Sequence, residues 1–94
     1  MGIPGKVILI LTPVGSTPKH FKDKLKVATS YTIAVLKDKL RGKALIPVEP
    51  HQPLIFYINE FAPSDSETIG SLFESFGNEK GSLSINYSIT PFYG

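Results

Sequence analysis

The 94-residue sequence contains no cysteine. Disulfide bonds, thiol catalysis and cysteine-ligated zinc are therefore excluded, and this composition is consistent with a reducing compartment. No apolar run approaches the roughly 20 residues that a membrane-spanning helix needs. The first residues do not combine a basic start with a long apolar segment, and Lys6 stands where a myristoylation signal favours Ser or Thr. We expect no membrane insertion and no signal peptide.

The sequence also lacks the short motifs of common enzymes. It contains no Walker loop, no Gly-x-Gly-x-x-Gly and no Gly-x-Ser-x-Gly elbow. The two histidines, His20 and His51, lie in proline-flanked stretches with no carboxylate or cysteine at metal-ligand spacing. We interpret both as surface loop residues. The sequence therefore predicts no catalytic residue, no metal site and no cofactor.

Charge is divided unevenly along the chain. Residues 1–43 carry nine Lys or Arg against two acids, a net +7, whereas residues 44–94 carry one Lys against six acids, a net −5. This division predicts one basic face and one acidic face. The basic face is either a solvated surface that keeps the protein soluble or a patch for an acidic partner segment. Nucleic acid is not an expected partner, because no aromatic residues alternate with the lysines.

Two strands are predicted near the start. Residues 6–11 form a continuous apolar run, which is typical of a central strand covered on both faces. Residues 21–28 alternate, which is typical of a half-buried strand. The turn at residues 13–18 should join the two strands as a hairpin. In the second strand, lysines lie on one face and apolar residues on the other: Lys22, Lys24 and Lys26 opposite Phe21, Leu25 and Val27.

Two amphipathic helices follow from apolar residues at helical spacing. Thr29-Ser30 should provide the N-cap of the first helix, which Gly42 should end. The capping box Ser64-x-x-Glu67 should start the second helix, which Gly77 should end. We expect the apolar faces to consist of Ile33, Leu36 and Leu40 in the first helix and of Ile69, Leu72, Phe73 and Phe76 in the second. Phe73 and Phe76 should pack into the main core.

The remaining segments complete the predicted fold. A proline-rich loop at residues 43–53 leads to a third strand at 54–58, apolar on both faces, and a last strand at 82–88 alternates apolar and polar residues. The order ββαβαβ predicts an α+β, ubiquitin-like β-grasp fold, with a mixed sheet packed on one helix. A right-handed crossover makes the first and last strands parallel neighbours at the centre. We divide the chain into a domain at 1–87 and a protruding tail at 88–94.

Several stretches resemble a known family. Residues 55–64 read Ile-Phe-Tyr-Ile-Asn-Glu-Phe-Ala-Pro-Ser, residues 70–77 read Gly-Ser-Leu-Phe-Glu-Ser-Phe-Gly, and residues 81–87 precede a tail that ends at Gly94. In this order they resemble autophagy-related protein twelve, the ubiquitin-like modifier of autophagy. The N-terminal half is looser but collinear, with Val14-Gly15-x-Thr17-Pro18 after the first strand.

The resemblance implies a modifier and not an enzyme. Members are β-grasp proteins whose terminal glycine is activated with ATP by an activating enzyme and passed to a conjugating enzyme. The glycine is then joined to a lysine of autophagy-related protein five. The conjugate, with autophagy-related protein sixteen, recruits the conjugating enzyme of a sister modifier and promotes attachment of that modifier to phosphatidylethanolamine. We expect a cytoplasmic protein that is recruited to the forming autophagosome membrane.

The resemblance also assigns site residues. Gly94 is the expected conjugation residue, because its carboxylate has no side chain beside it, and Phe92 and Tyr93 are the expected recognition residues of the tail. The surface that recruits the second conjugating enzyme carries over to Thr12, Lys24 and Leu25. The family has lysine, lysine and tryptophan at these three positions, so only Lys24 keeps the residue type. Leu25 also has a purely structural interpretation as a core residue of the second strand.

Three alternative functions share the fold. The lipid-conjugated sister modifier carries an extra helical segment before its first strand, whereas the first strand here begins at Lys6. Sulfur carriers end in Gly-Gly, and Tyr93 departs from that ending. A non-covalent β-grasp interaction module is compatible with the sequence and stays open.

Overall fold

The structure is a computed structural model that describes residues 4–15, 17–49 and 52–89. These ranges contain strands and helices in the predicted order ββαβαβ. Their bounds are β1 (Lys6–Pro13), β2 (Lys24–Ala28), α1 (Ile33–Gly42), β3 (Leu54–Tyr57), α2 (Ile69–Phe76) and β4 (Ser82–Ile89). Neither helix is long and apolar enough to cross a membrane.

The four described strands form one mixed sheet with the order β2-β1-β4-β3. β1 runs antiparallel to β2, with Leu9 opposite Leu25, and parallel to β4, with Leu11 opposite Ile85. β3 runs antiparallel to β4 at the far edge. The predicted hairpin and the predicted parallel pair at the centre are confirmed, and so is the β-grasp fold.

The helices cover only one face of β1. Val7, Leu9 and Leu11 are buried in a single core with residues of α1 and α2, whereas Ile8 on the opposite face is 36% exposed. The expectation that β1 is covered on both faces is therefore wrong. Successive side chains of a strand point to opposite faces, and both described helices lie on the same side. The apolar run of β1 thus leaves Ile8 and Ile10 on an open face.

The second strand begins later than expected, and the loop before it is partly buried. β2 begins at Lys24, so Phe21 belongs to the preceding loop, yet its buried ring packs edge-on against Tyr87 with the ring centroids 4.9 Å apart. His20 is also buried, and its backbone N–H donates a hydrogen bond to the Tyr87 hydroxyl at 2.9 Å. The interpretation of His20 as a surface residue is wrong, because the loop folds inward over Tyr87. His51 lies outside the described residues.

The N-cap of α1 is Thr32 and not Thr29-Ser30. The Thr32 hydroxyl accepts a hydrogen bond from the Val35 backbone N–H at 3.2 Å. The Thr29 hydroxyl instead donates to the Pro4 carbonyl at 2.9 Å, which ties it to the start of β1. The buried face of α1 consists of Ile33, Leu36 and Leu40, as predicted.

The N-cap of α2 is Thr68, four residues after the predicted Ser64. The Thr68 hydroxyl accepts a hydrogen bond from the Ser71 backbone N–H at 3.1 Å. The Ser64 carbonyl accepts from the Glu67 backbone N–H at 3.1 Å, which makes this segment a turn before the helix. The predicted capping box is therefore wrong, and Gly77 is confirmed as the residue that ends α2.

The two helix N-termini are joined to each other. The backbone N–H of Ile33 donates to the Glu67 carbonyl at 2.9 Å, and the backbone N–H of Ile69 donates to the Tyr31 carbonyl at 2.8 Å. The first N–H groups of a helix have no partner within the helix. Here each helix finds partners in the segment that precedes the other, which decides where both helices begin.

The expected core position of Phe76 is wrong. Ile69 and Leu72 are buried, and Phe73 packs against the core, but Phe76 is 40% exposed. Its ring stacks on Phe61 of the β3–α2 loop, with centroids 6.1 Å apart. Phe76 shares the helix face of Ile69 but stands two turns further along the axis, about 10 Å away. At that distance a loop residue, and not the sheet, is its neighbour.

β4 extends further than expected, and β3 is shorter. Ser88 pairs with Ile55 and Ile89 pairs with Leu54, so two residues assigned to the tail belong to the sheet. β3 ends at Tyr57, and Ile58 forms only an isolated bridge to Phe61. Residues 90–94, which include Phe92, Tyr93 and Gly94, lie outside the described residues.

Candidate functional site

β2 is an outer strand of the sheet. It has five residues, and β1 is its only neighbour among the described strands. An edge strand presents backbone N–H and C=O groups that can pair with an extended segment of another chain. The side chains of Lys24 and Lys26 are exposed on this strand. Among the described residues, the outer edge of the sheet at β2 therefore carries positive charge.

Thr12 and Lys24 lie on the same face of the sheet. Lys24 pairs with Ile10, and Thr12 follows Ile10 by two residues, so all three point away from the helices. Thr12 and Lys24 are both exposed. Diagonal neighbours on one face of an antiparallel pair are about 7–8 Å apart. The structure thus brings these two predicted residues together on the open face.

Leu25 lies on the opposite face. It is partly buried against the core and lines a cavity of about 390 Å³, which opens between β2 and the end of α1. The cavity is lined by Leu11, Phe21, Lys22, Leu25, Leu40 and Lys43. The functional and the structural interpretations of Leu25 are compatible, because one side chain both contacts the core and forms a wall of the cavity. We refer to this cavity as the β2–α1 pocket.

The predicted row of lysines is divided between two surfaces. Lys24 and Lys26 lie on the open face, whereas Lys22 precedes β2 and lines the β2–α1 pocket together with Lys43. Strand alternation does not extend to Lys22, because the strand begins two residues later. The described residues that line the pocket include two cations and no acid. Nearby, Lys19 forms an ion pair with Asp23 at 2.8 Å.

Sequence reasoning missed two parts of this site. The sequence pattern predicts that Leu40 lies on the core face of α1 and that Lys43 lies in the loop after the helix. Their sequence pattern carries no signal for a pocket, because the pocket exists only where the C-terminal end of α1 lies beside Phe21 and Leu25. Within the described ranges, no cluster of three His, Cys, Asp or Glu residues could hold a metal ion.

The family model described as "Ubiquitin-like autophagy protein Apg12" matches residues 6–94. The chain belongs to this family. The Neurospora crassa protein named "Ubiquitin-like protein atg12" is 30% identical over 90 residues, which are 95% of this chain and 56% of that protein. The mouse protein "Ubiquitin-like protein ATG12" is 32% identical over 90 residues, covering 95% of this chain and 62% of the relative. The chain thus spans about half the length of the curated relatives that it matches, and the expected family is confirmed.

Solved structures of two Atg8 proteins have a similar fold. The "Crystal Structure of Trypanosoma brucei ATG8" superposes with a TM-score of 0.76 at 20% identity, covering 97% of this chain and 78% of that chain. "Plasmodium falciparum Atg8 in complex with Plasmodium falciparum Atg3 peptide" superposes with a TM-score of 0.68 at 16% identity, covering 93% and 80%. These neighbours are ubiquitin-like β-grasp proteins.

Proposed function

We propose that this Apg12-family chain is a protein modifier that is joined through the Gly94 carboxylate to a lysine of autophagy-related protein five. The observation that carries the proposal is the family match over residues 6–94, which includes Gly94. The strand order of the sheet also supports the proposal, because the C-terminal residues follow β4, which is an inner strand. A segment that continues from an inner strand starts from a rigid base.

In the proposed reactions this chain is the substrate, and the active sites belong to other proteins. The Gly94 carboxylate attacks the α-phosphorus of ATP at the activating enzyme, which forms an acyl-adenylate and releases pyrophosphate. A cysteine thiolate displaces AMP, and the thioester passes to the conjugating enzyme. The lysine amine then displaces the thiolate and forms an isopeptide bond. This chain contributes an unhindered carboxylate at Gly94, and the enzymes recognise its tail through Phe92 and Tyr93.

We further propose that the conjugate, together with autophagy-related protein sixteen, recruits the conjugating enzyme of the sister modifier. This recruitment promotes lipidation of the sister modifier at the forming autophagosome membrane. We assign the recruiting surface to Thr12, Lys24 and Leu25 at the β2 edge. Support comes from the outermost position of β2 among the described strands, the exposed Lys24 and the pocket beside Leu25. The solved Plasmodium Atg8 complex with an Atg3 peptide supports peptide docking by a protein of the same fold.

Deletion of Gly94 tests the proposal. Wild-type and truncated chains are incubated with activating enzyme, conjugating enzyme, ATP and autophagy-related protein five, and the products are separated by denaturing electrophoresis. We expect a shifted conjugate band for the wild type and none for the truncated chain, because a β-carbon on the new terminal Tyr93 crowds the reacting centre. Circular dichroism should show that both chains fold equally well.

Two outcomes contradict the proposal. A shifted band from the truncated chain would show that Gly94 is not the reacting residue. The wild-type chain could instead copurify with autophagy-related protein five and give no shifted band. That result would show that the chain is a non-covalent interaction module.

A further inference from the structure

We infer that α2 and the β3–α2 loop bind an arginine-bearing segment of a partner protein. The stacked rings of Phe61 and Phe76 line a cavity of about 250 Å³ together with Glu67. We refer to the residues that line this cavity as the α2 surface, and its other members are Ser71, Leu72 and Ser75. None of them lines the β2–α1 pocket, which lies at the opposite edge of the sheet from β3.

Both phenylalanines of the α2 surface are exposed although they contact each other. Phe61 is 43% exposed and Phe76 is 40% exposed, and their ring planes meet at 25°. Both rings belong to the stretches at 55–64 and 70–77 that resemble the family, and the proposed function gives them no role. Exposed apolar residues that are scattered singly need no explanation, whereas a contiguous patch beside a cavity indicates an interaction site.

The backbone holds both rings in place. The N–H of the buried Ile58 donates a hydrogen bond to the Phe61 carbonyl at 2.8 Å, and the Phe61 N–H donates to the Ile58 carbonyl at 3.0 Å. At the end of α2, the Gly77 N–H donates to the Phe73 carbonyl at 2.8 Å, which fixes the last turn that carries Phe76. A partner therefore meets a preformed surface, which reduces the entropy lost on binding.

The charges around the rings favour a cation. Glu67 lines the cavity, and the described lining residues include no Lys or Arg. Asp65, in the same loop, is paired with Lys37 at 2.9 Å, whereas the described residues offer Glu67 no ion pair. The last turn of α2, which carries Phe76, has no basic residue, so the partial negative charge at the helix C-terminus is not offset within the helix. Charge complementarity therefore calls for a basic occupant and disfavours nucleic acid and anionic lipid.

Aromatic rings next to a carboxylate select arginine over lysine. The planar guanidinium stacks on aromatic faces and donates two parallel hydrogen bonds to a carboxylate, whereas the lysine ammonium is a compact and strongly hydrated charge. In the α2 surface the guanidinium stacks on the ring pair, where the negative face of each ring attracts it, and bonds to Glu67. Ser71 and Ser75 are exposed at the same cavity and offer hydroxyl acceptors. An apolar neighbour of the arginine covers the rest of the rings.

The experiment titrates the isotope-labelled full-length chain with short peptides and follows its amide signals by NMR. The peptides are acetyl-Gly-Leu-Xaa-Leu-Gly-amide, in which Xaa is arginine, lysine or citrulline, and citrulline has nearly the shape of arginine but no charge. We expect the arginine peptide to shift the signals of Phe61, Glu67 and Phe76. Its Kd should be about five-fold lower than that of the citrulline peptide, because only the guanidinium pairs with the Glu67 carboxylate, and the lysine peptide should bind with a Kd between the two.

Two matched variants test the carboxylate. Glu67→Gln should raise the Kd of the arginine peptide about five-fold and leave that of the citrulline peptide unchanged. Glu74→Gln removes an exposed carboxylate of α2 that does not line the cavity, and it should change neither Kd. Phe76→Leu keeps an apolar side chain but removes one ring of the stack, so it should also weaken binding of the arginine peptide. Thermal unfolding checks that all variants are folded.

Several results would overturn the inference. They are equal Kd values for the arginine and citrulline peptides, equal Kd values for the wild type and Glu67→Gln, signal shifts that concentrate outside the α2 surface, and no shift at millimolar peptide. The titration involves neither Gly94 nor the activating and conjugating enzymes. Its failure is therefore distinguishable from failure of the proposed function, which the conjugate band measures.

Discussion

At the scale of single residues, Lys24 and Leu25 are neighbours in sequence but belong to different surfaces. Lys24 lies beside Thr12 on the open face, and Leu25 forms a wall of the β2–α1 pocket. Both surfaces meet at the outer edge of β2, so one extended partner can contact both by running along that edge. A single flat patch made of the three predicted residues does not exist.

Truncation of Phe76 and of Leu72 should lower stability by different amounts. Phe76→Ala should lower the free energy of unfolding by only about 1 kcal/mol, because the side chain is 40% exposed and packs on Phe61, whereas a buried phenylalanine costs about 3–5 kcal/mol. Leu72→Ala should cost about 2–5 kcal/mol, because Leu72 is buried in the core. Urea unfolding of both variants measures the difference. A larger loss for Phe76→Ala than for Leu72→Ala would contradict this assignment.

At the scale of secondary structure, the helices depend on each other for their first turns. Thr32 and Thr68 are the two N-caps, and they form an isolated bridge to each other. The backbone around each cap also supplies acceptors to the other helix. Loss of one cap should therefore loosen the start of both helices.

Thr68→Ala tests the observed cap against the predicted one. The variant should lower the free energy of unfolding by about 1 kcal/mol, because the Ser71 N–H loses its acceptor. Ser64→Ala is the matched control and should change stability by less than about 0.5 kcal/mol, since Ser64 is exposed outside the helix. Chemical unfolding followed by circular dichroism gives both values. A greater loss for Ser64→Ala would restore the capping box at Ser64.

At the scale of the whole molecule, the basic half of the chain does not form one uniform face. The described part of residues 1–43 builds β1, β2 and α1, and its lysines lie on several surfaces. Lys24 and Lys26 lie on the open face, Lys22 and Lys43 line the β2–α1 pocket, and Lys37 of α1 forms an ion pair with Asp65 at 2.9 Å. The acidic half builds β3, α2 and β4. The elements of the basic half and those of the acidic half therefore differ in net charge, but the basic side chains are spread over more than one surface.

Lys24→Glu tests the contribution of the open face to recruitment. We expect the Kd for the sister modifier's conjugating enzyme to rise roughly five-fold at low salt, about 1 kcal/mol, and the difference to shrink at high salt because exposed charges are screened. Lys80→Glu serves as a control of equal charge change. Equal affinity of the wild type and Lys24→Glu at low salt would remove Lys24 from the docking surface.

The sequence by itself determined the element order and most of the core. Local patterns predict these positions: alternation predicts that Leu83 and Ile85 share one face of a strand, and helical spacing places Ile33, Leu36 and Leu40 on one face of a helix. All five residues are buried as predicted. The parallel pairing of β1 and β4 follows from the handedness of crossovers. The family could be identified because its motifs are contiguous stretches of sequence.

Only the tertiary structure decided the caps, the open face of β1 and the pocket. Thr68 replaces Ser64 as N-cap because the backbone before α2 bonds to α1, which lies far away in sequence. Ile8 is exposed because both described helices pack on one side of the sheet, which no pattern within β1 records. Lys22 and Lys43 line one pocket because the end of α1 lies beside the loop before β2. Local sequence patterns reveal which face of an element is apolar, but the neighbour that covers it depends on contacts between distant segments.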